Sequence, residues 1–583
     1  MSKNVKPAEH IKLNQWYATA ICGNDILSSA LYVSGIAVLF AGVFAPIVLL
    51  TIGFVLFLYK KVYTEVVEAL PINGGAYNCL LNGTSKIVAA IAGVMTFLSY
   101  VATAVISAKV GVEYLSTIVH IPVIPGTIGL LLIFAILVIS GIKDSAKVAL
   151  GIFTMHILAL ISFVVVGLIH YLNGNSFFPQ NLTTTMGILG ERGGLLPALY
   201  FAFSASLLGV SGFESSANFV EEQGPGVFRK TLRNMLIGVT IFNPLIALVV
   251  INSMPYADIT AAKDFLLSDA ANIIGGTAYR YFIVIDAFLV LSGAVLTSYV
   301  GVSGLLSRMA GDSCLPNFMS KMNRRGSFPR IITLFFVLCS SILLITRGEL
   351  LSLAGVYTIA FLGVMSLFAF GNLILKETRT ELKRTYQAPI LAVALAFFMT
   401  FLGILGNIRI DSQNLVFFEL YFIPSLAVIM AIIYMDYIFK FAIRITRRWP
   451  TINGFLKDKF EDVSGGKFVA FVHHSNRLFK ILNYIERNET GWNIKLVVCR
   501  SHDARDPKKN YTEIKELLPT LEKAGVFPHL NVTVDYRDEE FGPNVINKVE
   551  KEYKIRRNRI MIGSIHAHHP YNYQDLGGVR IIF

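Results

Sequence analysis

Charged side chains are scarce in this chain of 583 residues, and their scarcity excludes an ordinary soluble protein. Asp, Glu, Lys and Arg make up 15% of the sequence and hydrophobic residues 54%, whereas soluble domains carry roughly 25% charged residues. The composition indicates a polytopic membrane protein whose main partner is the lipid bilayer. The formal net charge of +13 comes from basic residues in short clusters between apolar segments, so it does not indicate a nucleic-acid partner.

Cysteine is also rare. The five cysteines have neither the spacing of a metal site nor that of a disulfide framework; they are Cys22, Cys79, Cys314, Cys339 and Cys499. Histidines gather in the C-terminal part without a cysteine or carboxylate that would complete a recognisable metal site; they are His473, His474, His566, His568 and His569. We therefore expect no resident metal and no tightly bound cofactor.

Long apolar runs fill the first 440 residues. Twelve of them approach the roughly 20 residues that a membrane helix needs; they are about 16–42, 44–60, 86–115, 123–141, 147–172, 195–219, 234–253, 278–304, 330–346, 350–375, 388–407 and 416–440. The polar N-terminus leads into the first run without a small-residue cleavage site, so we expect the first span to be retained. Lys and Arg are concentrated in every second connection, which predicts that both termini are cytoplasmic.

The pattern changes after about residue 450. Short apolar strands near 468–472, 494–498, 532–534 and 560–562 alternate with charged helical stretches. This alternation predicts a parallel sheet in a small α/β domain. We divide the chain into a transmembrane domain, residues 1–450, and a cytosolic domain, residues 451–583.

A carboxylate, Asp25, lies inside the first apolar run. A charge at mid-bilayer depth costs at least about 2.5 to 3.5 kcal/mol, so it is kept only where it faces a cavity or a partner. Gly23 and Asn24 beside it predict a locally unwound helix, and irregular backbone at this depth is tolerated only where it lines protein or water.

Span six repeats these features. Glu214 lies close to Gly209 and Gly212, again within an apolar run. Matched breaks in spans one and six are typical of transporters built from two inverted repeats, with the substrate site between the breaks near the bilayer midplane. Ordinary glycine packing between membrane helices is the alternative, but it does not require the two carboxylates.

Three motifs in order resemble the amino acid, polyamine and organocation (APC) superfamily. Residues 68–80 read EALPINGGAYNCL, residues 212–214 read Gly-Phe-Glu before a Glu-Glu pair at 221–222, and residues 307–326 follow the superfamily's loop pattern after span eight. The resemblance covers about the first 440 residues. It implies an α-helical membrane protein with about 12 transmembrane helices, five plus five in the inverted-repeat LeuT/APC fold and two more, that acts as a secondary transporter and not as an enzyme.

Residues 25–33, DILSSALYV, resemble the Asp-Ile-Gly-Thr-Ser-Pro-Leu-Tyr-Val signature of the KUP potassium transporters. This resemblance implies a cation site in which hydroxyls replace part of the hydration shell and one carboxylate supplies the charge. Carried over residue by residue, the site comprises Asp25, Tyr32, Thr103, Ser107, Ser211 and Tyr357. Glu214 would carry a proton, or stay charged and hold backbone amides at the helix break. Ser99 stands where some of these transporters have an aspartate, so ion stoichiometry or proton coupling can differ.

Two substrates therefore stay open. The first is K⁺ or another small cation, moved by proton-coupled symport across the plasma membrane. The second is an amino acid or amine, carried by a permease of the same fold with Asp25 binding the ammonium group. A membrane sensor that signals through the C-terminal part would need a docking or catalytic motif there, and we find none in that sequence.

Other polar residues within the spans support weaker expectations. Lys109 and Glu113, four residues apart near the outer end of span three, predict a surface-level pair or snorkelling side chains, with a role in coupling as the alternative. His156 in span five is expected to be a packing histidine or a proton relay. Asp286 in span eight is a candidate for a residue that faces the outer vestibule.

The C-terminal part resembles the universal stress protein fold. Its Gly563-Ser564 and Gly577-Gly578 match that family's glycine-rich nucleotide loop only in part, although backbone amides at such a loop could hold phosphates. A nucleotide ligand and a homodimer formed through this domain are the two roles left open for it.

Overall fold

The computed structural model describes residues 12–141, 146–191, 193–316, 318–319, 321–380, 382, 384–449, 451–456, 467–489, 493–500, 508–528, 530–553, 555, 557–563, 576 and 579–581. Up to residue 445 it is almost entirely helical. The helices are α1 Gln15–Ser28, α2 Ala30–Ala41, α3 Ala45–Ala69, α4 Gly75–Gly83, α5 Lys86–Ser116, α6 Val123–Ile139, α7 Ala146–Leu172, α8 Phe178–Glu191, α9 Leu195–Ser206, α10 Val227–Ser253, α11 Tyr256–Ala261, α12 Leu266–Gly311, α13 Pro329–Ile345, α14 Leu350–Thr378, α15 Ile390–Ile410, α16 Gln413–Ile433 and α17 Met435–Ile445.

Nine helical segments of the described chain are long and apolar enough to cross a membrane, and α6 and α13 are shorter apolar helices. The first segment, Gln15–Ala69, contains two of the predicted spans, so all twelve predicted spans fall on apolar helices. In α12 the positive φ of Gly276, +79°, separates a short helix from the long one that forms span eight. The protein is therefore an integral membrane protein of mostly helical fold.

Local signals explain where several helices begin. The side chain of Asn14 accepts hydrogen bonds from the backbone N–H groups of Trp16 and Tyr17 at the start of α1, which satisfies two donors that the helix leaves free. Pro46 and Pro329 lie in the first turns of α3 and α13, where a missing N–H costs nothing.

The C-terminal part forms a five-stranded sheet, and we call it the tail domain. Its strands are β1 Lys467–Phe471, β2 Asn493–Cys499, β3 Asn531–Arg537, β4 Ile560–Ile562 and β5 Arg580–Ile581, in the order β3-β2-β1-β4-β5, with each neighbouring pair parallel. Its helices are α18 Leu478–Asn488, α19 Lys509–Lys523 and α20 Pro543–Glu552. The predicted small α/β domain is confirmed, whereas a boundary at residue 450 stays a prediction.

The side chains of β1 pack alternately on the two faces of this sheet. Phe468 and Ala470 pack in the cluster that contains α18 and α19, while Val469 and Phe471 pack in the cluster that contains α20. This is the expected consequence of side chains pointing to opposite faces along a strand. Ile72, from the loop before α4, belongs to the second cluster, so the tail domain packs against the membrane domain.

The membrane domain has two opposite faces, which we call the tail face and the far face. The tail face carries Lys86, at the start of α5, and Asp312, directly after α12; the far face carries Lys109, near the other end of α5. Lys86 and Lys109 are 23 residues apart on one helix, which corresponds to about 35 Å at 1.5 Å per residue. The two faces are thus separated by roughly the thickness of a bilayer's hydrocarbon core.

Candidate functional site

The predicted break in span six is present. After α9 the chain forms two 3-10 turns, Leu207–Val210 and Phe213–Asn218, and Gly212 between them has a φ of +86°. A Cβ at Gly212 would come within 2.7 Å of the Asp25 carboxyl carbon. Both the backbone conformation and the close approach therefore require glycine. Gly209 lies within the first of the two turns.

The predicted break in span one is misplaced. Gly23 and Asn24 lie inside the regular helix α1, and the interruption comes at Ser29, between α1 and α2. Two contacts with α7 keep the helix regular: a Cβ at Gly23 would lie 2.4 Å from the ring of Phe153, and the Asn24 side chain donates to the carbonyl of Ala149 at 3.0 Å. Gly23 permits α1 and α7 to pack closely. The Asn24 side chain bonds to α7, so it does not form a local hydrogen bond that would disrupt the backbone of α1.

Ser29 connects the two breaks. Its hydroxyl donates to the carbonyl of Ile26 at 2.7 Å and lies 3.2 Å from that of Gly209. The first bond goes to an α1 carbonyl at the end of the helix, which also accepts the backbone N–H of Ser29 at 3.3 Å, and the second contact reaches span six. The two discontinuities therefore meet directly, as the sequence predicts.

Two carboxylates face each other across this junction. Asp25 accepts a hydrogen bond from the Ser215 hydroxyl at 2.6 Å, and Glu214 lies within the electric field of Asp25 and against the backbone N–H groups of Gly212 and of Glu214 itself. Both residues are buried. One oxygen of each, together with the hydroxyl of Tyr357, makes no hydrogen bond within the described part of the chain. Buried polar atoms without a partner are rare in native structures, and their convergence indicates a ligand.

The remaining predicted site residues lie on α2, α5 and α14 and, for Ser211, between the two turns of the span-six break. Tyr32 on α2 is buried within the field of Asp25. Tyr357 on α14 is buried near Ser211 and both carboxylates. On α5, Thr103 donates to the carbonyl of Ser99 at 2.9 Å, and Ser107 is buried one turn further on.

Two residues of this neighbourhood are missing from the sequence-based set. Ser215 supplies the hydrogen bond to Asp25, and Tyr100 lies within the fields of both carboxylates. Tyr100 shares a face of α5 with Thr103 and Ser107, since residues three or four apart on a helix are neighbours. Its position three residues before Thr103 is the signal that could have identified it, and for Ser215 the signal is its adjacency to Glu214.

His156 and Asp286 form a buried pair next to the break in span one. His156 Nδ1 lies 2.7 Å from the Asp286 carboxylate, and its Nε2 lies 3.3 Å from the carbonyl of Leu27. Both side chains are at most 1% exposed. The expectation that Asp286 faces an outer vestibule is wrong, because the residue turns inward to pair with α7. His156 is therefore a hydrogen-bonded residue that holds α1 against α12.

The expected pair of Lys109 and Glu113 is present at 2.7 Å, but it is not at the surface. Lys109 is 3% exposed and also contacts Asp264 at 2.5 Å, in the connection before α12. A buried cation shared between two carboxylates therefore joins α5 to the connection before α12 at the far face. We call Lys109, Glu113 and Asp264 the far-face triad.

Cavities lie on both sides of the junction. A cavity of about 470 Å³ reaches from Ser215 and Tyr100 to Asp312 and Arg580 on the tail face. Glu221 lines it, and burial raises the pKa of that carboxyl group. A smaller cavity of about 230 Å³ lies near Glu349. None of the predicted substrate ligands lines either cavity, but the larger one reaches from Ser215, which donates to Asp25, to the tail face.

The tail domain adds little to the site chemistry. Of the residues proposed for a nucleotide loop, only Gly563 lies within the described residues, and His566, His568 and His569 lie outside them. The rings of His473 and His474 lie 4.5 Å apart and are tilted by 56°. No group of three potential metal ligands occurs among the residues with described positions. The universal stress protein resemblance stays a prediction.

Comparison with known proteins gives the family. A family model described as "Amino acid permease" matches residues 13–441. The chain belongs to this amino acid permease family. The permease is thereby a member of the APC superfamily, as the sequence motifs predict, and its family consists of transporters and not of enzymes.

Individual relatives of the permease differ in what their names say they carry. Potassium transporter KimA of Bacillus subtilis is 25% identical over 354 residues, which are 58% of this chain and 57% of KimA. The methylthioribose transporter of the same organism is 24% identical over 57% of this chain and 73% of its own length. Its branched-chain amino acid permease BcaP is 23% identical over 56% of this chain and 72% of its own length. Less than two thirds of KimA is matched, so these names do not assign a substrate to the permease.

Proposed function

We propose that the permease is a proton-coupled secondary transporter that imports K⁺ or a similar small cation across the plasma membrane. Its cation would bind to Asp25, Tyr32, Thr103, Ser107, Ser211 and Tyr357, and Glu214 would carry the proton. Both termini and the tail domain would be cytoplasmic, so the tail face is the inner face. The excess of Lys and Arg in alternate connections supports this orientation.

The observation that carries the proposal is the chemistry of the junction, which offers oxygen atoms and few free donors. The helix α1 continues through Gly23 and Asn24, so its backbone N–H groups are used within the helix. The N–H groups at the span-six break lie against the carboxylate of Glu214. A substrate carboxylate placed here would meet Asp25 and Glu214 instead of donors, whereas a bare cation would meet oxygen ligands.

Two carboxylates that share one buried site also suggest why a proton would accompany the cation. Ionising both of them close together in a low dielectric is unfavourable. A cation on Asp25 and a proton on Glu214 would leave the site neutral, and a neutral site can change its access from one face to the other without burying net charge. The coupled movement of one cation and one proton follows from this balance.

Amino acid or amine transport is the second candidate. The names of BcaP and of the methylthioribose transporter support an organic substrate, and Asp25 could bind an ammonium group. The absence of free backbone donors along α1 at Gly23 and Asn24 argues against a substrate that also carries a carboxylate. A homodimer formed through the tail domain stays a separate prediction.

The test is flux in proteoliposomes that contain the purified permease. We expect uptake of rubidium or potassium together with inward proton movement, and no uptake of labelled branched-chain amino acids. Asp25→Asn should reduce cation uptake by at least a hundredfold while leaving membrane insertion intact, since a neutral side chain inserts more easily. Asp258→Asn is the matched control, because Asp258 is an exposed aspartate on α11, the short helix that follows α10. Unchanged cation uptake in Asp25→Asn would contradict the proposed site.

Glu214→Gln tests the coupling. An amide mimics the protonated carboxyl group, so cation binding should persist and lose its dependence on pH, while proton movement with the cation should disappear. Proton movement that persists at the wild-type ratio would assign the coupling to another group. Uptake of an amino acid by the wild-type permease would favour the second candidate.

A further inference from the structure

The last strand of the tail domain contacts the membrane domain through one buried arginine. Arg580, the first residue of β5, is 2% exposed. Its Nε lies 3.1 Å from the carboxylate of Asp312, and its Nη2 lies 2.5 Å from the carboxylate of Glu489, which follows α18. One guanidinium group therefore joins the end of α12 to the tail domain. We call Arg580, Asp312 and Glu489 the tail latch.

Both carboxylates of the tail latch are held by further contacts with the membrane domain. The Tyr77 hydroxyl donates to Asp312 at 3.0 Å, and Arg308 Nε lies 3.4 Å from the same oxygen. Glu489 lies 3.7 Å from the ammonium group of Lys86 at the start of α5. The backbone N–H of Lys86 also donates to the side chain of Asn488 at 3.0 Å. The latch is thus connected to the ends of α5 and α12 and to α4.

The position of the latch relative to the cavity gives it a role. Val579 and Arg580 line the 470 Å³ cavity together with Asp312, and Ser215, which donates to Asp25, lines the same cavity. The last strand therefore forms part of the wall of this cavity at the tail face. Because arginine stays protonated in proteins, Arg580 places a permanent positive charge there, beside the carboxylate of Asp312.

We propose that the tail latch is an autoinhibitory contact that closes the tail side of the substrate pathway. A cation released from Asp25 would meet both the guanidinium group and the backbone of β5, so release requires Arg580 to leave Asp312. Events that move the tail domain would then set the rate of transport. This inference rests on the proposed transport function and extends it to the regulation of the same site.

Arg580→Gln is the variant that tests the latch. Asp312 keeps Arg308 and Tyr77 as partners and Glu489 keeps Lys86, so neither carboxylate is left alone and we expect the full-length protein to fold. The first readout is the reactivity of a cysteine introduced at Thr297, on the cavity wall, towards a charged thiol reagent in detergent. The cysteines of the native chain are all buried, and the parent protein without the new cysteine gives the background.

We expect labelling of that cysteine to be about tenfold faster in Arg580→Gln, and rubidium flux in proteoliposomes to rise two- to fivefold. Arg537→Gln is the matched control. Arg537 is also an ion-paired arginine of the tail domain, but its partners Asp535 and Glu552 lie within that domain. It should change neither readout.

Equal labelling rates in Arg580→Gln and the parent protein would overturn the latch. So would faster labelling with unchanged or reduced flux in a permease that transports rubidium, because closure would then not limit transport. Faster labelling in a protein that transports no cation supports the latch and counts against the proposed substrate alone. If Arg580→Gln does not fold, Glu489→Gln weakens the same contact without removing the arginine, and it should give the same changes at smaller size.

Discussion

The two faces of the membrane domain carry the same kind of buried ion pairing, with the cation supplied from different sources. On the far face, Lys109 is buried between Glu113 and Asp264, and all three belong to the membrane domain. On the tail face, Arg580 is buried between Asp312 and Glu489, and only Asp312 belongs to the membrane domain. In each group one buried cation lies between two carboxylates, and on the tail face Lys86 and Arg308 contact the same carboxylates as well. The two groups differ in whether a second domain supplies the cation.

This difference determines what each closure can respond to. The far-face triad joins α5 to the connection before α12, so only rearrangement of the membrane helices can open it. The tail latch can also be opened from outside these helices, by movement of the tail domain. The larger cavity lies on the tail side and includes Ser215, which is consistent with a site closed firmly on the far side and held on the other by a removable contact.

The largest expected effect comes from breaking the far-face triad. Lys109→Met removes the cation from two carboxylates that lie together in a buried setting. Breaking a buried ion pair by removing one partner costs about 3 to 5 kcal/mol. We expect a large fall in the thermal unfolding midpoint of the purified protein, and faster labelling from the far face of a cysteine introduced at Ile36, which lines the smaller cavity.

Lys263→Met is the control for that change. Lys263 is a neighbouring lysine that lies 3.8 Å from Asp264 and is 25% exposed. A partly exposed pair contributes roughly 0 to 1 kcal/mol, so the midpoint should hardly move. Equal falls in the unfolding midpoint of Lys109→Met and Lys263→Met would show that the buried lysine contributes no more to stability than the partly exposed one.

A smaller effect is expected from Tyr77→Phe, on the tail face. The substitution removes the hydroxyl that donates to Asp312 at 3.0 Å. A hydrogen bond to a charged group contributes about 1.5 to 3 kcal/mol, and Asp312 keeps Arg308 and Arg580, so we expect the lower end of that range. Thermal unfolding measures the loss, and the rubidium flux should rise by less than twofold because the latch is weakened and not removed.

Tyr299→Phe separates the latch from a general effect of losing a buried hydroxyl. Tyr299 is fully buried and donates to the carbonyl of Leu131 at 3.0 Å, away from the tail latch. Its loss should lower stability by a similar or smaller amount without raising flux. A rise in flux in both variants would contradict a specific role for Tyr77.

Features that depend on local sequence could be predicted, and those that depend on distant contacts could not. The twelve spans follow from the length of the apolar runs, and the sheet of the tail domain follows from its alternating strands. The approach of Asp25 to Glu214 also follows, because the matched breaks of two inverted repeats are expected to meet near the bilayer midplane. These are inferences from composition and period.

The wrong predictions and the missed features all depend on contacts between residues that are far apart in the sequence. The helical state of Asn24 depends on the carbonyl of Ala149, 125 residues away. The inward turn of Asp286 depends on His156, 130 residues away, and the tail latch joins residues 268 apart. A glycine or an isolated charge in the sequence signals that something lies close to it, but the identity of that neighbour is set by tertiary packing.

The smallest effect is expected from Glu113→Gln, which sharpens the comparison between the two closures. Glu113 is one of two carboxylates around Lys109, and one of its oxygens is buried without a hydrogen bond in the described part of the protein. Neutralising it removes part of the attraction to Lys109 but also removes the cost of burying a charge that is only partly satisfied. Because Lys109 keeps Asp264, we expect a change in unfolding free energy below about 1 kcal/mol. Thermal unfolding of Glu113→Gln and Lys109→Met, measured side by side, compares the two losses of stability. Losses of similar size would mean that Asp264 alone does not stabilise the buried lysine.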